Sequence, residues 1–130
     1  MASGGCQCGA IRYDVEGEAE HSALCYCTDC RKSSGAPMVG WALFARSGIS
    51  IVGEPVVYAS SADAQRHFCG TCGASLFYTN EAMFPGMIDI TTGSLDDPDA
   101  YPPSAHIQWA DAPHWMARID GLPRFERFPG

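Results

Sequence analysis

The spacing of seven cysteines constrains this chain of 130 residues more than any other feature. They fall into three groups, which are Cys6 and Cys8, then Cys25, Cys27 and Cys30, then Cys69 and Cys72. Three thiols so close in sequence converge only if the backbone turns tightly, and converging thiolates are typical ligands of zinc. Structural zinc sites have four protein ligands, whereas catalytic zinc sites have three and an open position. The count of seven therefore predicts two zinc ions per chain, one in a closed site and one in an open site.

A disulfide framework is the alternative explanation for the cysteines. An odd count of cysteines and two Cys-x-Cys pairs, which are too close for relaxed disulfide geometry, favour metal instead. The N-terminus has neither the basic nor the apolar segment of a secretory signal, and no apolar run approaches the roughly 20 residues of a membrane span. These features predict a soluble, cytoplasmic protein that keeps its thiols reduced.

Composition narrows the domain count and the class of partner. A chain of 130 residues with 46% hydrophobic and 18% charged residues is typical of one folded domain, and we assign residues 1–130 to it. Eight basic side chains against fifteen acidic ones give a formal net charge of −7. Because such a surface repels phosphate backbones, we do not expect a nucleic-acid partner, and the lack of a long apolar run argues against a membrane partner. The oligomeric state is left open by the sequence.

Alternating apolar and polar residues predict a fold that is mainly β. Ile11, Tyr13 and Val15 alternate with charged residues and predict a half-buried strand. Further strands are predicted within 22–24, 38–44, 49–51, 56–58, 65–68, 76–78, 87–91 and 106–109. For 38–44, which is almost wholly apolar, a short buried helix is the alternative. The segment 49–58 is expected to form a hairpin or meander, residues 31–37 a loop or one helical turn, and residues 111–116 a short helical turn.

The pair Cys69 and Cys72 is followed by Gly73 and lies between two predicted strands. This arrangement is typical of a zinc knuckle at the tip of a hairpin. Joined by Cys6 and Cys8, the pair forms a closed site that ties the first strand to the central hairpin. Structural zinc of this kind contributes on the order of 10 kcal/mol to the folding of a small domain.

The group of Cys25, Cys27 and Cys30 comes from one local segment and cross-links little of the chain. A zinc ion held there has a free fourth position, for which a thiol is a natural ligand because zinc lowers its pKa. The alternative is a second structural site, closed by His67, His106 or a neighbouring carboxylate.

Other side chains near the cysteines have expected roles. Arg31, Lys32 and Arg66 are expected to bind the anionic group of a thiol, and Tyr26 is expected to donate a proton to the oxyanion of an aldehyde. The aromatic residues Trp41, Phe77, Trp109 and Trp115 are expected to lie in the core.

A resemblance to a known family lies in the three cysteine blocks, within residues 5–13, 25–35 and 66–73, and in the tail 106–123. The chain resembles the glutathione-dependent formaldehyde-activating enzyme family, which shares its domain with centromere protein V. The resemblance implies an antiparallel fold of the zinc-bearing β-tent type. It also implies that Cys6, Cys8, Cys69 and Cys72 hold a structural zinc, and that Cys25, Cys27 and Cys30 hold a catalytic one. The activity it implies joins glutathione to formaldehyde and gives S-hydroxymethylglutathione.

The first functional hypothesis is therefore a zinc-dependent carbon–sulfur lyase that adds a thiol similar to glutathione to a small aldehyde such as formaldehyde, or reverses that addition. A second hypothesis is a non-catalytic zinc module that binds or carries glutathione or a related thiol. A third is a redox protein in which the three clustered cysteines relay a disulfide. The number of bound zinc ions separates the third hypothesis from the first two.

Overall fold

The computed structural model describes residues 1–129, and within them ten strands and one α-helix form. The strands are β1 (Ala2–Gly5), β2 (Arg12–Val15), β3 (His21–Cys25), β4 (Val39–Ala45), β5 (Ile49–Val52), β6 (Val56–Ala59), β7 (Ala64–Phe68), β8 (Ser75–Asn80), β9 (Met87–Thr91) and β10 (Ala105–Ile107). The helix α1 spans Thr28–Ser34, and short 3₁₀ helices lie at Arg46–Gly48, Thr92–Ser94, Pro98–Ala100, Trp109–Asp111 and His114–Gly121. Among residues 1–129, no helix is both long and apolar enough to cross a membrane.

The strands form two sheets, so the predicted mainly β fold is confirmed. A small antiparallel sheet has the order β1-β2-β5, and a seven-stranded sheet has the order β10-β3-β4-β9-β8-β7-β6. Every neighbouring pair in the larger sheet is antiparallel except β10 and β3, which are parallel. The fold is therefore almost wholly antiparallel, with one parallel strand at an edge.

The main core lies between the two sheets, and the period of two in each strand decides which residues enter it. Tyr13 and Val15 of β2 face Phe44 of β4 and Ile90 of β9 across the gap, and each is at most 1% exposed. The intervening residues of β4, such as Trp41, are buried on the opposite face of the larger sheet, against a second cluster. The predicted apolar strand at 38–44 is thus confirmed, and it is apolar because both of its faces are covered.

Of two local predictions, one is wrong and one is confirmed. The segment 49–58 forms no hairpin, because β5 pairs with β2 in the small sheet and β6 pairs with β7 in the large one. Gly53, at a φ of 97°, lies in the turn where the chain passes from one sheet to the other. It is so close to the loop after Cys8 that a Cβ on residue 53 would lie 2.4 Å from the Ala10 carbonyl oxygen. The prediction of a loop or one helical turn at 31–37 is confirmed, because α1 continues through Ser34 and ends at Gly35, in the left-handed conformation.

The hairpin of β7 and β8 is confirmed, with the second cysteine pair at its tip. The Cys69 N–H donates to the Ala74 carbonyl at 3.0 Å, and the Gly73 N–H donates to the Cys69 carbonyl at 2.8 Å. Gly73 has a φ of 80°, which a residue with a Cβ adopts only at a cost. This glycine therefore allows the tight turn that presents both thiols to the same side.

Candidate metal centres and an adjoining cavity

The four-cysteine cluster, formed by Cys6, Cys8, Cys69 and Cys72, lies beside the main core. Its sulfur atoms all lie within 4.8 Å of one another, although the two pairs are about sixty residues apart in sequence. Cys6 and Cys69 are buried and belong to the core cluster. A shared ligand would therefore tie the turn before β2 to the β7–β8 hairpin, as the spacing predicts.

The separation of these sulfurs fits tetrahedral zinc. Two zinc–sulfur bonds of about 2.3 Å at a tetrahedral angle place the sulfurs about 3.8 Å apart. The Cys6 and Cys8 sulfurs are 3.6 Å apart, and those of Cys8 and Cys69 are 3.7 Å apart. The Ile11 N–H donates to the Cys6 sulfur at 3.2 Å. Such donation favours thiolates, which are the form that binds metal.

The three-cysteine cluster, formed by Cys25, Cys27 and Cys30, lies on the other face of the large sheet. Cys25 ends β3, Cys27 caps α1, and Cys30 lies in its first turn, so the change from strand to helix brings the three sulfurs within 4.8 Å of one another. The Cys30 N–H donates to the Cys27 sulfur at 3.1 Å, and the Cys25 and Cys30 sulfurs are 3.6 Å apart. This spacing also fits zinc on three thiolates.

Arg66 supplies positive charge to this cluster. Its guanidinium donates to the Cys30 sulfur at 3.8 Å and to the Ser33 hydroxyl at 3.1 Å, and it stacks over the Tyr78 ring at 4.9 Å from the centroid. Hydrogen bonds with Cys25, Cys27 and Arg66 outweigh the effect of burial and lower the pKa of Cys30 to about 5. The structure therefore brings Arg66 to the cysteines, as expected.

Neither histidine named as an alternative fourth ligand joins the cluster. Among the described residues, no histidine or carboxylate lies within 4.8 Å of all three sulfurs. His106 accepts or donates a 2.7 Å hydrogen bond with the Tyr26 hydroxyl through Nδ1. His67 belongs to β7, where its Nε2 is buried without a partner and burial lowers its pKa. The prediction of a second site closed by a side chain of this chain is not met in this structure.

A cavity of about 370 Å³ opens beside the three-cysteine cluster. The three cysteines line one part of its wall. The polar and charged lining residues are His21, Asp29, Arg66, Asp89 and Gln108, and the apolar and aromatic ones are Trp41, Tyr78, Met83, Phe84 and Ile107. Gln108 has a φ of 55°, the one positive value outside glycine in residues 1–129. Such strain often marks a functional position. The sulfur atoms thus border a space that is large enough for a small molecule.

The cavity contains an acid that the sequence analysis missed, Asp89 in the middle of β9. It pairs across the sheet with Tyr78 on β8, which in turn pairs with Arg66 on β7. Asp89 is only 7% exposed, and its Oδ1 has no hydrogen-bond partner in the described chain. Burial, followed by the negative charge of Cys30, raises its pKa to about 7. An acid between two isoleucines of a predicted strand is a signal that could have identified it.

Tyr26 is brought near the cysteines but not into the cavity. Its side chain is fully buried, its hydroxyl bonds to His106, and its ring packs edge-on against Trp109 at 4.9 Å between centroids. Burial raises the pKa of Tyr26. It does not line the cavity, so its contacts here are those of a residue that holds the segment between Cys25 and Cys27 in place.

Arg31 and Lys32 lie away from the cavity. Because α1 is a helix, its residues after Cys30 turn away from the sulfurs, and both cations line a separate surface groove with Pro113 and Trp115. The Arg31 guanidinium donates to the Tyr26 carbonyl at 3.4 Å. Of the three cations expected beside a bound thiol, only Arg66 lies there in the described residues.

The expectation for the aromatic residues is half right. Trp41 and Phe77 are 6% and 1% exposed, so their predicted burial is confirmed. Trp109 and Trp115 are 45% and 50% exposed, so theirs is wrong. These two tryptophans belong to 3₁₀ segments after β10, which are outside both sheets.

Comparison with known proteins gives one family and several relatives. Residues 1–111 match the family described as glutathione-dependent formaldehyde-activating enzyme. A Schizosaccharomyces pombe protein named an uncharacterized lyase is 30% identical over 112 residues, which are 75% of this chain and 82% of that protein. A Halomonas elongata protein, provisionally named a glutathione-dependent formaldehyde-activating enzyme, is 25% identical over 126 residues, 89% of this chain and 80% of that protein.

A solved structure supports the fold. The crystal structure of a Rhodobacter sphaeroides protein superposes with a TM-score of 0.60 at 23% sequence identity. The match covers 80% of this chain and 98% of that protein. At this identity the likeness extends to the fold alone.

Proposed function

Since the chain belongs to the glutathione-dependent formaldehyde-activating enzyme family, we propose that it is a zinc-dependent carbon–sulfur lyase that adds a thiol to a small aldehyde such as formaldehyde, or reverses that addition. The observation that supports this most is the convergence of three cysteine sulfurs on the wall of a cavity. Two relatives with lyase or formaldehyde-activating names agree with the reaction class. Glutathione is the thiol that the family description suggests.

In this proposal the two cysteine clusters have different tasks. The four-cysteine cluster would hold a structural zinc, and Cys25, Cys27 and Cys30 would hold a second zinc beside the cavity. When bound there, zinc supplies a Lewis acid that favours the thiolate form of a substrate thiol. We propose that residues 1–130 form a single domain built around both sites, and that it works in the cytoplasm, where seven unpaired cysteines stay reduced.

The addition of the thiol moves one proton and forms one bond. The sulfur forms a bond to the carbonyl carbon, the second bond of the carbonyl group breaks, and its electron pair moves to oxygen. The proton that leaves the thiol completes the hydroxyl of the adduct. Asp89 borders the same cavity with an unpartnered oxygen, so we propose that it is the group that accepts a hydrogen bond from this hydroxyl.

The other residues position the reaction. Arg66 donates to Cys30 and keeps a positive charge beside the sulfurs, and Trp41 and Tyr78 exclude water from one wall. Tyr26 was expected to donate a proton. From its bond to His106 we propose instead that it fixes the peptide between Cys25 and Cys27. Arg31 and Lys32 would act only on parts of a thiol that extend beyond the cavity.

An exchange experiment tests this function. With ¹³C-formaldehyde and glutathione at equilibrium, exchange spectroscopy measures how fast carbon moves between hydrated formaldehyde and its thiol adduct. Zinc-loaded protein should accelerate this exchange at least about tenfold over buffer, as for a modest catalyst that supplies little more than positioning. The matched control is Cys27→Ser, which removes one ligand of the second zinc and leaves the four-cysteine cluster intact.

Three results distinguish the three hypotheses. Acceleration by the wild type and not by the Cys27 variant supports the lyase. Saturable thiol binding with unchanged exchange would mean that the chain is a thiol carrier. Formation of a disulfide within the three-cysteine cluster under mild oxidation, with only one zinc ion per chain, would favour a redox relay instead.

A further inference from the structure

The cavity beside the three-cysteine cluster is negatively charged. Its titratable lining residues are His21, Asp29, Cys25, Cys27, Cys30, Arg66, Tyr78 and Asp89. Three thiolates that hold a divalent ion carry one net negative charge, and the charges of Arg66 and Asp29 cancel. The cavity therefore has one net negative charge, or two when Asp89 is ionised. The excess is negative whichever form Asp89 takes. The formal charge of the whole chain, −7, has the same sign.

Arg66 is the one arginine or lysine among the described residues that line the cavity, and it is already engaged. The Arg66 guanidinium donates to the Cys30 sulfur and the Ser33 hydroxyl, and its face lies over the Tyr78 ring. To bind a carboxylate it would have to give up part of this arrangement. The remaining nearby cations, Arg31 and Lys32, belong to a different groove. Among the described residues that line the cavity, a thiol with carboxylates therefore finds no free arginine or lysine.

Asp89 presents the opposite requirement. It is more than nine-tenths buried, it lines the cavity, and its Oδ1 lacks a partner in the protein. A buried acceptor without a donor is costly, so a ligand that brings a donor is favoured. Asp29, on the rim of the cavity, adds a second acceptor of the same charge. The ligand that satisfies both is a hydrogen-bond donor with a positive charge.

We propose that the cavity selects thiols that carry an ammonium group near the sulfur over thiols that carry carboxylates, with Asp89 as the residue that binds the ammonium group. This inference rests on the proposed function, since it assigns the thiol substrate of that same site. It makes aminothiols better ligands than glutathione, whose two carboxylates outnumber its one ammonium group. Asp89 can then accept a hydrogen bond from the adduct hydroxyl only through an oxygen lone pair that the ammonium group leaves free.

Two thiols of the same shape test the charge directly. 2-(Dimethylamino)ethanethiol is protonated at neutral pH, and 3-methylbutane-1-thiol is its uncharged isostere. Isothermal titration of the zinc-loaded protein, without aldehyde, measures their affinities, with 3-mercaptopropionate and glutathione as the anionic members of the series. We expect the ammonium thiol to bind at least about tenfold more tightly than its isostere, since a hydrogen bond to a charged group has this value. Both anionic thiols should bind more weakly than the uncharged one.

A matched variant locates the preference. Asp89→Asn keeps the size of the side chain and removes its charge, so the two isosteres should bind within about threefold of each other. Zinc content and circular dichroism establish that the variant is folded. If it does not fold, Asp29→Asn and the salt dependence in the wild type replace it, since both reduce the preference only if it is electrostatic.

The outcomes separate a failure of the proposed ammonium preference from a failure of the proposed lyase function. Equal affinity for the two isosteres, or tighter binding of the anionic thiols, overturns the inference and leaves the lyase intact. A full preference in the Asp89 variant overturns the role of Asp89. If the zinc-loaded wild type binds no thiol at all, the proposed function fails and the inference fails with it.

Discussion

Replacing Asp89 with asparagine should remove a specific part of the pH dependence of stability. Burial first, and the charge of Cys30 second, raise the pKa of Asp89 to about 7, against about 3.9 for an aspartate in an unfolded chain. Between these two values the folded state binds a proton that the unfolded state has lost. The free energy of unfolding therefore falls as pH rises toward 7 and is constant above it.

The size of this effect follows from the pH window. Each pH unit between the two pKa values costs about 1.36 kcal/mol. From pH 5.5 to 8.5 the wild type crosses roughly 1.5 of those units, so Asp89 should account for a loss of about 2 kcal/mol. The asparagine variant carries no ionisable group at this position and should not show this loss.

Urea unfolding of zinc-loaded wild type and variant at both pH values provides the measurement. The useful quantity is the difference between the two proteins in their change with pH, because other titrating groups, including the metal ligands, contribute equally to both. Asp29→Asn removes an exposed carboxylate of the same cavity and should retain the wild-type loss. Parallel changes in wild type and the Asp89 variant would refute the reasoning, since they would mean that Asp89 is ionised across the whole range.

Three further predictions concern the metal sites and the core. Cys69→Ser should lower bound zinc below two per chain and prevent folding, because a structural zinc contributes on the order of 10 kcal/mol, which matches the whole stability of a domain. Cys27→Ser should lose one zinc ion and stay folded. Elemental analysis measures the zinc content of both variants, and circular dichroism measures their folding. Ile90→Ala, in the main core, should cost about 2–5 kcal/mol in chemical denaturation. Tyr26→Phe removes the hydroxyl that bonds to His106 and should lower the free energy of unfolding by about 1 kcal/mol. It should also weaken zinc binding by the three-cysteine cluster without abolishing it. An unchanged zinc affinity would contradict the positioning role of Tyr26.

Much of this architecture could be predicted because its signals are local. The alternation at Ile11, Tyr13 and Val15 encodes a strand with one buried face, and Gly73 after Cys72 encodes a turn. Cysteine spacing pointed to both clusters because seven thiols in three groups have few chemical explanations other than metal. The outcome agrees with these signals, since the sulfurs of each cluster converge within 4.8 Å.

The wrong predictions depend on direction and on distant contacts. Arg31 and Lys32 follow Cys30 in sequence, but the helix that begins at Thr28 rotates them to another side of the chain. Hydrophobicity alone could not show that Trp115 lies in a surface 3₁₀ segment. Asp89 was missed because its neighbours in the cavity come from β3, α1, β4, β7 and β8, and no short stretch of sequence contains that relationship.

The large sheet separates stability from chemistry, and β4 and β9 show how. Ala42 and Phe44 of β4, and Ile88 and Ile90 of β9, face the core that the small sheet covers. The residues between them, including Asp89, face the three-cysteine cluster. Because successive side chains of a strand point to opposite faces, substitutions on the core face should change only the free energy of unfolding, and those on the cavity face should also change thiol binding. A buried acid that lowers stability at neutral pH is expected only on the second face, where a ligand can offset its cost.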